Sequence, residues 1–276
     1  VRRIASIMAA LGLITTLLCT GCFSTTAFPI ENQVVVKRIV SLKPNITEIL
    51  FALGVGNQVV GVTTWCNQPI AARALPKVAD YLRPFPEQLL AVHPDLVMGS
   101  EENSAKNATL QLQKLGLQTA FFSFKTLEDM YQSIQKIGDQ VGRPKEAARL
   151  VKDMHTQMNK IPKAHDQNAL IVVGYRPLIV VGAQTFLGEV LSALGVQNVM
   201  GNTPLPYPHL NTETLLKLNP TIIIDITMGT ERSQQFWNQF PMLSAVKHNR
   251  IISLNMDDFR PGPRLPAAAM QLAKQL

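Results

Sequence analysis

Apolar positions along this chain switch repeatedly between strand-like runs and helical spacing. Short β-branched or apolar runs at residues 38–42, 59–63, 96–98 and 119–124 read as strands. Between them, helical patterns cover 47–53, with Asn45 as a plausible cap, then 87–92, ended by Pro94, then 105–115 and the amphipathic 127–141. Strands alternating with helices imply a mostly parallel sheet covered on both faces.

Residues 143–163 break the alternation. Ala147, Leu150, Val151, Met154, Met158 and Ile161 fall on one helical stripe, with Pro144 fitting a first turn and Pro162 an end. This predicts a helix of about four to five turns. An ordinary core-packed helix would look the same, but the βα pattern restarts after it, which favours an interdomain strut. Strands are then predicted at 170–173, 178–181, 221–226 and 250–254, and helices at 185–194, 213–218, 233–240 and 266–276. The expected fold class is α/β: two Rossmann-like lobes, 37–142 and 164–276, with mostly parallel sheets joined by a single long rigid helix, 143–163.

The halves echo each other. Glu87 to Met98 (EQLLAVHPDLVM) and Glu213 to Ile224 (ETLLKLNPTIII) share Glu-x-Leu-Leu-x-x-x-Pro followed by a buried strand, at an offset of 126. Leu53-Gly-Val-Gly-Asn and Leu194-Gly-Val-Gln-Asn correspond at an offset of 141. Two pseudo-equivalent lobes would place a ligand cleft at the C-terminal ends of their strands.

Composition narrows the class. With 46% hydrophobic and 16% charged residues the chain is globular. Arg2 and Arg3, then an uncharged and mostly apolar run from Ile4 to Leu18, read as the start of an export signal, 1–22; the run is short for a membrane span. Small residues before Cys22 suit lipoprotein processing with Cys22 acylated; ordinary cleavage after the Thr25-Thr26-Ala27 stretch is the alternative. Residues 23–36 then read as a tether. An exported body with Cys66 as its one cysteine, apart from Cys22, has no intrachain disulfide framework. The formal charge is +7, and Arg2 and Arg3 are the only charges in the first 22 residues. The basic residues are scattered, which argues against nucleic acid as a partner and stays compatible with an anionic ligand or a membrane surface.

Four stretches carry a resemblance: Arg38 to Gly54 (RIVSLKPNITEILFALG), Gly61 to Pro69 (GVTTWCNQP), Glu87 to Met98, and Arg260-Pro-Gly-Pro-Arg264. Together they resemble the cobalamin/siderophore/haem class of ABC importer substrate-binding proteins over residues 37–276, most closely its cobalamin-binding members. The resemblance implies two α/β lobes on one rigid helix with little closure, a cobalamin-type chelate as transported ligand and no cofactor. It implies a monomer working with a permease dimer and its cytoplasmic ATPase, in the periplasm or anchored to the membrane by lipid. It places Glu87 and Glu213 as permease-docking residues, Trp65, Tyr81 and Tyr207 as aromatic walls of the cleft, and Arg260 and Ile179 near the ligand. Haem or a ferric siderophore is the alternative ligand. Read without the resemblance, Glu87 and Glu213 would be helix first-turn acids, the aromatics core residues, and Arg260 a partner of Asp257 or Asp258.

Other motifs carry less. Gly54 to Gly61 (GVGNQVVG) follows a helix and lacks dinucleotide-loop spacing, so it reads as a helix C-cap and turn. The five histidines show no i, i+4 metal pairing; His209, beside Tyr207, is the one that could face the cleft, even as an axial haem ligand. Cys66 has no general base nearby in sequence and reads as a buried or cleft-wall thiol. No metal set or nucleophile–base pair marks an enzyme.

Overall fold

The computed structural model describes residues 37–80, 83–101, 112–201, 203–227 and 230–276. The first sheet contains β1 (Ile39–Ser41), β2 (Val59–Thr63), β3 (Lys77–Ala79), β4 (Leu96–Ser100) and β5 (Thr119–Phe122), in the order β3-β2-β1-β4-β5. Every neighbouring pair is parallel. A parallel sheet buried on both faces needs apolar residues at consecutive positions, and the strands supply them. Ile39, Leu96 and Met98 enter one buried cluster while Val40 and Val97 enter another.

The second sheet repeats this with one substitution. It runs β10 (Ile251–Ser253), β9 (Ile222–Asp225), β6 (Asn168–Tyr175), β7 (Leu178–Val180), and β8 (Gln197–Asn198) pairs the start of β6. Only β7 is antiparallel, folding back on the second half of β6. In matched order, β1 leads to helix α1 (Pro44–Ala52) and β6, after its return strand β7, to helix α5 (Phe186–Ala193), each helix leaving through a glycine at positive φ, Gly54 and Gly195, into β2 and β8. Helices α2 (Pro86–Ala91) and α6 (Thr212–Leu218) lead into β4 and β9. They end at His93 and Asn219, both left-handed and both followed by proline. Those two residues are also 126 apart.

Between the sheets run α3 (Leu127–Gln140) and α4 (Pro144–Asn159), an antiparallel pair. Thr126 caps α3 by accepting from the Asp129 N–H at 3.0 Å. Gly142, at φ +69°, makes the turn between them. A Cβ at Gly138 would lie 2.4 Å from the Ala147 side chain, so glycine there permits the close crossing. The C-terminal helix α9 (Leu265–Ala273) packs against α4. One buried cluster runs from Ile39 and Ile49 through Met130, Ile134 and Met154 to Ile171, Ile224 and Leu272. The facing sides of the two sheets and the helices between them therefore share a single apolar core.

Several expectations change. Asn45 does not cap α1: Pro44 begins the helix, Lys43 is the cap, and Asn45 lies inside it, donating to the Pro261 carbonyl. The strut stops at Asn159, and Ile161 folds back into the core. The helix expected at 233–240 is α7 (Thr230–Trp237), and α8 (Ser244–Lys247) follows. Of the helix expected at 105–115, residues 102–111 lie outside the described residues and 112–114 are helical.

Candidate functional site

Parallel sheets offer ligands the carboxyl ends of their strands. After β2, the Thr63 hydroxyl accepts from the Trp65 N–H at 3.2 Å and meets the Cys66 thiol at 3.1 Å, while Thr47 donates to the same sulfur at 3.2 Å. Cys66 is thereby buried, and Trp65 is turned out, 54% exposed. In the second lobe, residues 203–210 lie along β7. Gly182 and Val180 donate to the Pro206 and Pro208 carbonyls, and His209 bridges Ile179. A side chain at Gly182 would strike the Leu205 carbonyl at 2.7 Å. This fixes Tyr207 at 54% exposure beside half-buried Ile179, with Leu205 also exposed. Tyr81 and Cys22 lie outside the described residues.

Arg260 follows β10 and a short 3-10 turn, Met256–Phe259. Its side chain is 11% exposed and reaches across to the first lobe. It donates to Asn67 Oδ1 at 2.8 Å, to Glu48 Oε1 at 3.4 Å and to the Trp65 carbonyl at 3.3 Å, and pairs with Asp257 at 2.6 Å. Arg264 grips the same Glu48 with two bonds, at 2.9 and 3.1 Å, and meets Asp258 at 3.2 Å. The bonds that Arg264 donates to Glu48 push its pKa further above the ordinary arginine value, against the effect of burial. Asn67 closes the ring by donating to Asp257 at 2.8 Å. Trp65 and Arg260 thus meet at one junction between lobes, while Ile179 and Tyr207 share the β7 edge.

Glu48 is the residue that sequence reasoning missed. It is the only charge within the buried helix α1 and its side chain is 4% exposed. A lone carboxylate buried in a core helix requires a cationic partner, and that requirement was the available signal. A second buried acid, Asp225, ends β9. It accepts from Thr227 (2.7 Å), Ser233 (2.7 Å), the Trp237 indole (2.8 Å) and the Tyr175 hydroxyl. Burial works to raise its pKa, and the donors together outweigh it, leaving the carboxyl below the usual aspartate value. Burial and the Asp225 contact push Tyr175 upward.

Glu87 and Glu213 stand in the first turns of α2 and α6, both exposed and with no salt bridge among the described residues. The leucines two residues on, Leu89 and Leu215, are fully buried and anchor the two helices alike.

A family model described as "Periplasmic binding protein" matches residues 39–257, and the chain belongs to that family. It is 30% identical over 269 residues to the vitamin B12-binding protein of Pectobacterium carotovorum subsp. carotovorum, covering 94% of this chain and 92% of that one. It is also 30% identical to an uncharacterized ABC transporter substrate-binding lipoprotein of Bacillus subtilis, covering 93% and 87%. A solved structure of a possible iron-binding (periplasmic solute-binding) protein from Staphylococcus epidermidis superposes with a TM-score of 0.78 at 28% identity, over 87% of this chain and 98% of the other. The chain is a periplasmic binding protein of the ABC importer class that serves vitamin B12, haem and siderophores. Its homologues are exported transport proteins, not enzymes.

Proposed function

We propose that this chain captures cobalamin, or a related corrinoid, between its lobes and hands it to a permease dimer driven by a cytoplasmic ATPase. The observation that carries the reading is the exposure of Trp65 and Tyr207, each 54%, held outward by the segments that follow strands of opposite lobes. Large aromatics kept in solvent by built backbone are what a broad, flat, mostly apolar chelate uses. Arg260, whose guanidinium is taken up by protein groups, enters this reading as a wall of the site. Calorimetry with cyanocobalamin should give saturable one-to-one binding, weakened at least about tenfold by Trp65→Ala or Tyr207→Ala. No cobalamin binding, together with a shifted haem spectrum, would move the ligand to haem and make Tyr207 and His209 the axial candidates.

Docking falls to Glu87 and Glu213, matched acids on matched helices, suited to a matched pair of basic sockets on a two-fold permease. Reversing both to Arg should leave chelate affinity unchanged and abolish uptake; normal uptake would remove the assignment. Cys22 is the proposed lipid site, read out by palmitate labelling that Cys22→Ala removes. Domain limits of 37–142, 143–163 and 164–276 complete the proposal.

A further inference from the structure

Helices α2 and α6 repeat each other at an offset of 126, but not evenly around their surfaces. Buried Leu89 matches buried Leu215, and Pro94 matches Pro220. Folding explains these identities, because the leucines anchor the helices and the prolines follow their ends. Exposed positions carry no such demand, and most of them differ. Pro86 corresponds to Thr212, Gln88 to Thr214, Ala91 to Lys217 and His93 to Asn219, all exposed. Two exposed pairs are nevertheless identical: Glu87 with Glu213, and Leu90 with Leu216. The leucines are exposed to nearly the same extent, 39% and 37%. Each lies three residues after its glutamate, so acid and leucine share one face of their helix. A single exposed leucine is ordinary. The same leucine at the same depth beside the same acid in both halves is different, since Leu89 and Leu215 already make the core contact of each helix.

We propose that Leu90 and Leu216 are the apolar part of a permease-docking surface: each helix offers a carboxylate and, one turn on, an aliphatic side chain. The partner is a two-fold membrane permease whose paired basic sockets each adjoin an apolar shelf. The inference rests on the docking reading of Glu87 and Glu213 above and not on the identity of the chelate. The acids steer and orient the encounter, but ion pairs at a wet rim contribute little to holding a complex together. An aliphatic side chain dehydrated beside each pair adds non-directional attraction and keeps water from the charges. Both halves present the same two groups, so the two sockets are alike, as two copies of one permease subunit would make them.

The test adds the purified protein to right-side-out membrane vesicles of its own bacterium, supplied with ATP inside. The protein carries labelled cyanocobalamin, or haemin if wild type delivers that instead, and the readout is the protein concentration giving half-maximal uptake. Leu90→Gln and Leu216→Gln keep size and helix propensity while removing apolarity. Each should raise that concentration roughly fivefold, and the two together roughly twenty-five-fold. Chelate affinity and the urea midpoint should stay at wild-type values, and Leu90→Met/Leu216→Met should transport nearly as wild type does. Gln88→Ala/Thr214→Ala, at an exposed pair that differs between the halves, should change nothing. Leu90→Ala/Leu216→Ala carries the same expectation as the glutamine pair and decides the question if glutamine lowers the midpoint. Normal uptake by the folded double variant would overturn the proposal, as would a loss confined to one leucine or an equal loss at Gln88 and Thr214. Reversing both glutamates to Arg separates the two readings. Normal uptake there removes the docking surface and the leucines with it; abolished uptake there, with normal uptake in the leucine variants, removes the leucines alone.

Discussion

Glu48 and Asp225 are both carboxylates inside an apolar protein, satisfied in opposite ways. Asp225 is served by neutral donors, three hydroxyls and an indole, all from its own lobe. Glu48 is served by two guanidiniums, both from the other lobe. The first arrangement ties one helix to its sheet, because Ser233 and Trp237 both lie on α7. The second ties half of the molecule to the other half. Neutral donors suit a site that stays closed, since they add no charge to desolvate; paired charges orient two bodies more strongly and are the more expensive to bury.

Substitutions separate the two. The largest loss should come from Asp225→Ala, which leaves several buried donors without an acceptor, about 3–5 kcal/mol in urea unfolding. Glu48→Ala should follow at about 2–4 kcal/mol, because Arg264 can turn partly to water. A reversed ranking would mean that the junction, not the lobe interior, dominates stability. Acid sharpens the contrast. Folding holds the Asp225 pKa below its unfolded value, so its contribution is fully present above about pH 4 and is lost as the pH falls through the lower folded value. The stability gap between wild type and Asp225→Asn should therefore narrow below about pH 4. Tyr175→Phe, which removes one of the donors, should cost about 1 kcal/mol. Asp153→Ala, breaking an exposed 3.8 Å pair with Arg149, should change stability by less than about 0.5 kcal/mol; a larger change would show that exposure misjudges these pairs.

The fold was legible where burial is periodic. The 126-residue echo extends to the left-handed His93 and Asn219, since the same Leu-Leu-x-x-x-Pro spacing forces the same helix exit. The strut was legible from its apolar stripe, and the cap at Gly54 from its place after a helix. Short elements were not. Lys77-Val-Ala79 and Gln197-Asn198 are too brief to show a period, and become strands only because a neighbour's edge is waiting for them. Glu48 lies within the Arg38–Gly54 stretch, yet its role is not legible there because its partners lie more than 200 residues away. Asn45 has the position of a cap in sequence, but its side chain answers to Pro261, at a similar distance along the chain. What sequence pattern conveys is local period; what it omits here is contact between the two halves.

That contact has a mechanical meaning. Two bodies joined by one tether can swivel about it. Here the halves are joined by α4, by the Glu48 cluster, and by Glu189 on α5, which accepts from the Leu127 N–H at the start of α3 at 2.7 Å. Each added fastening removes a direction of play, much as a second and third bolt stop a plate from turning on the first. On the proposed function, a guest arriving at such a joint would meet an aperture already cut to size when the chain folded, and letting the guest go would be work for whatever grips the two halves from outside.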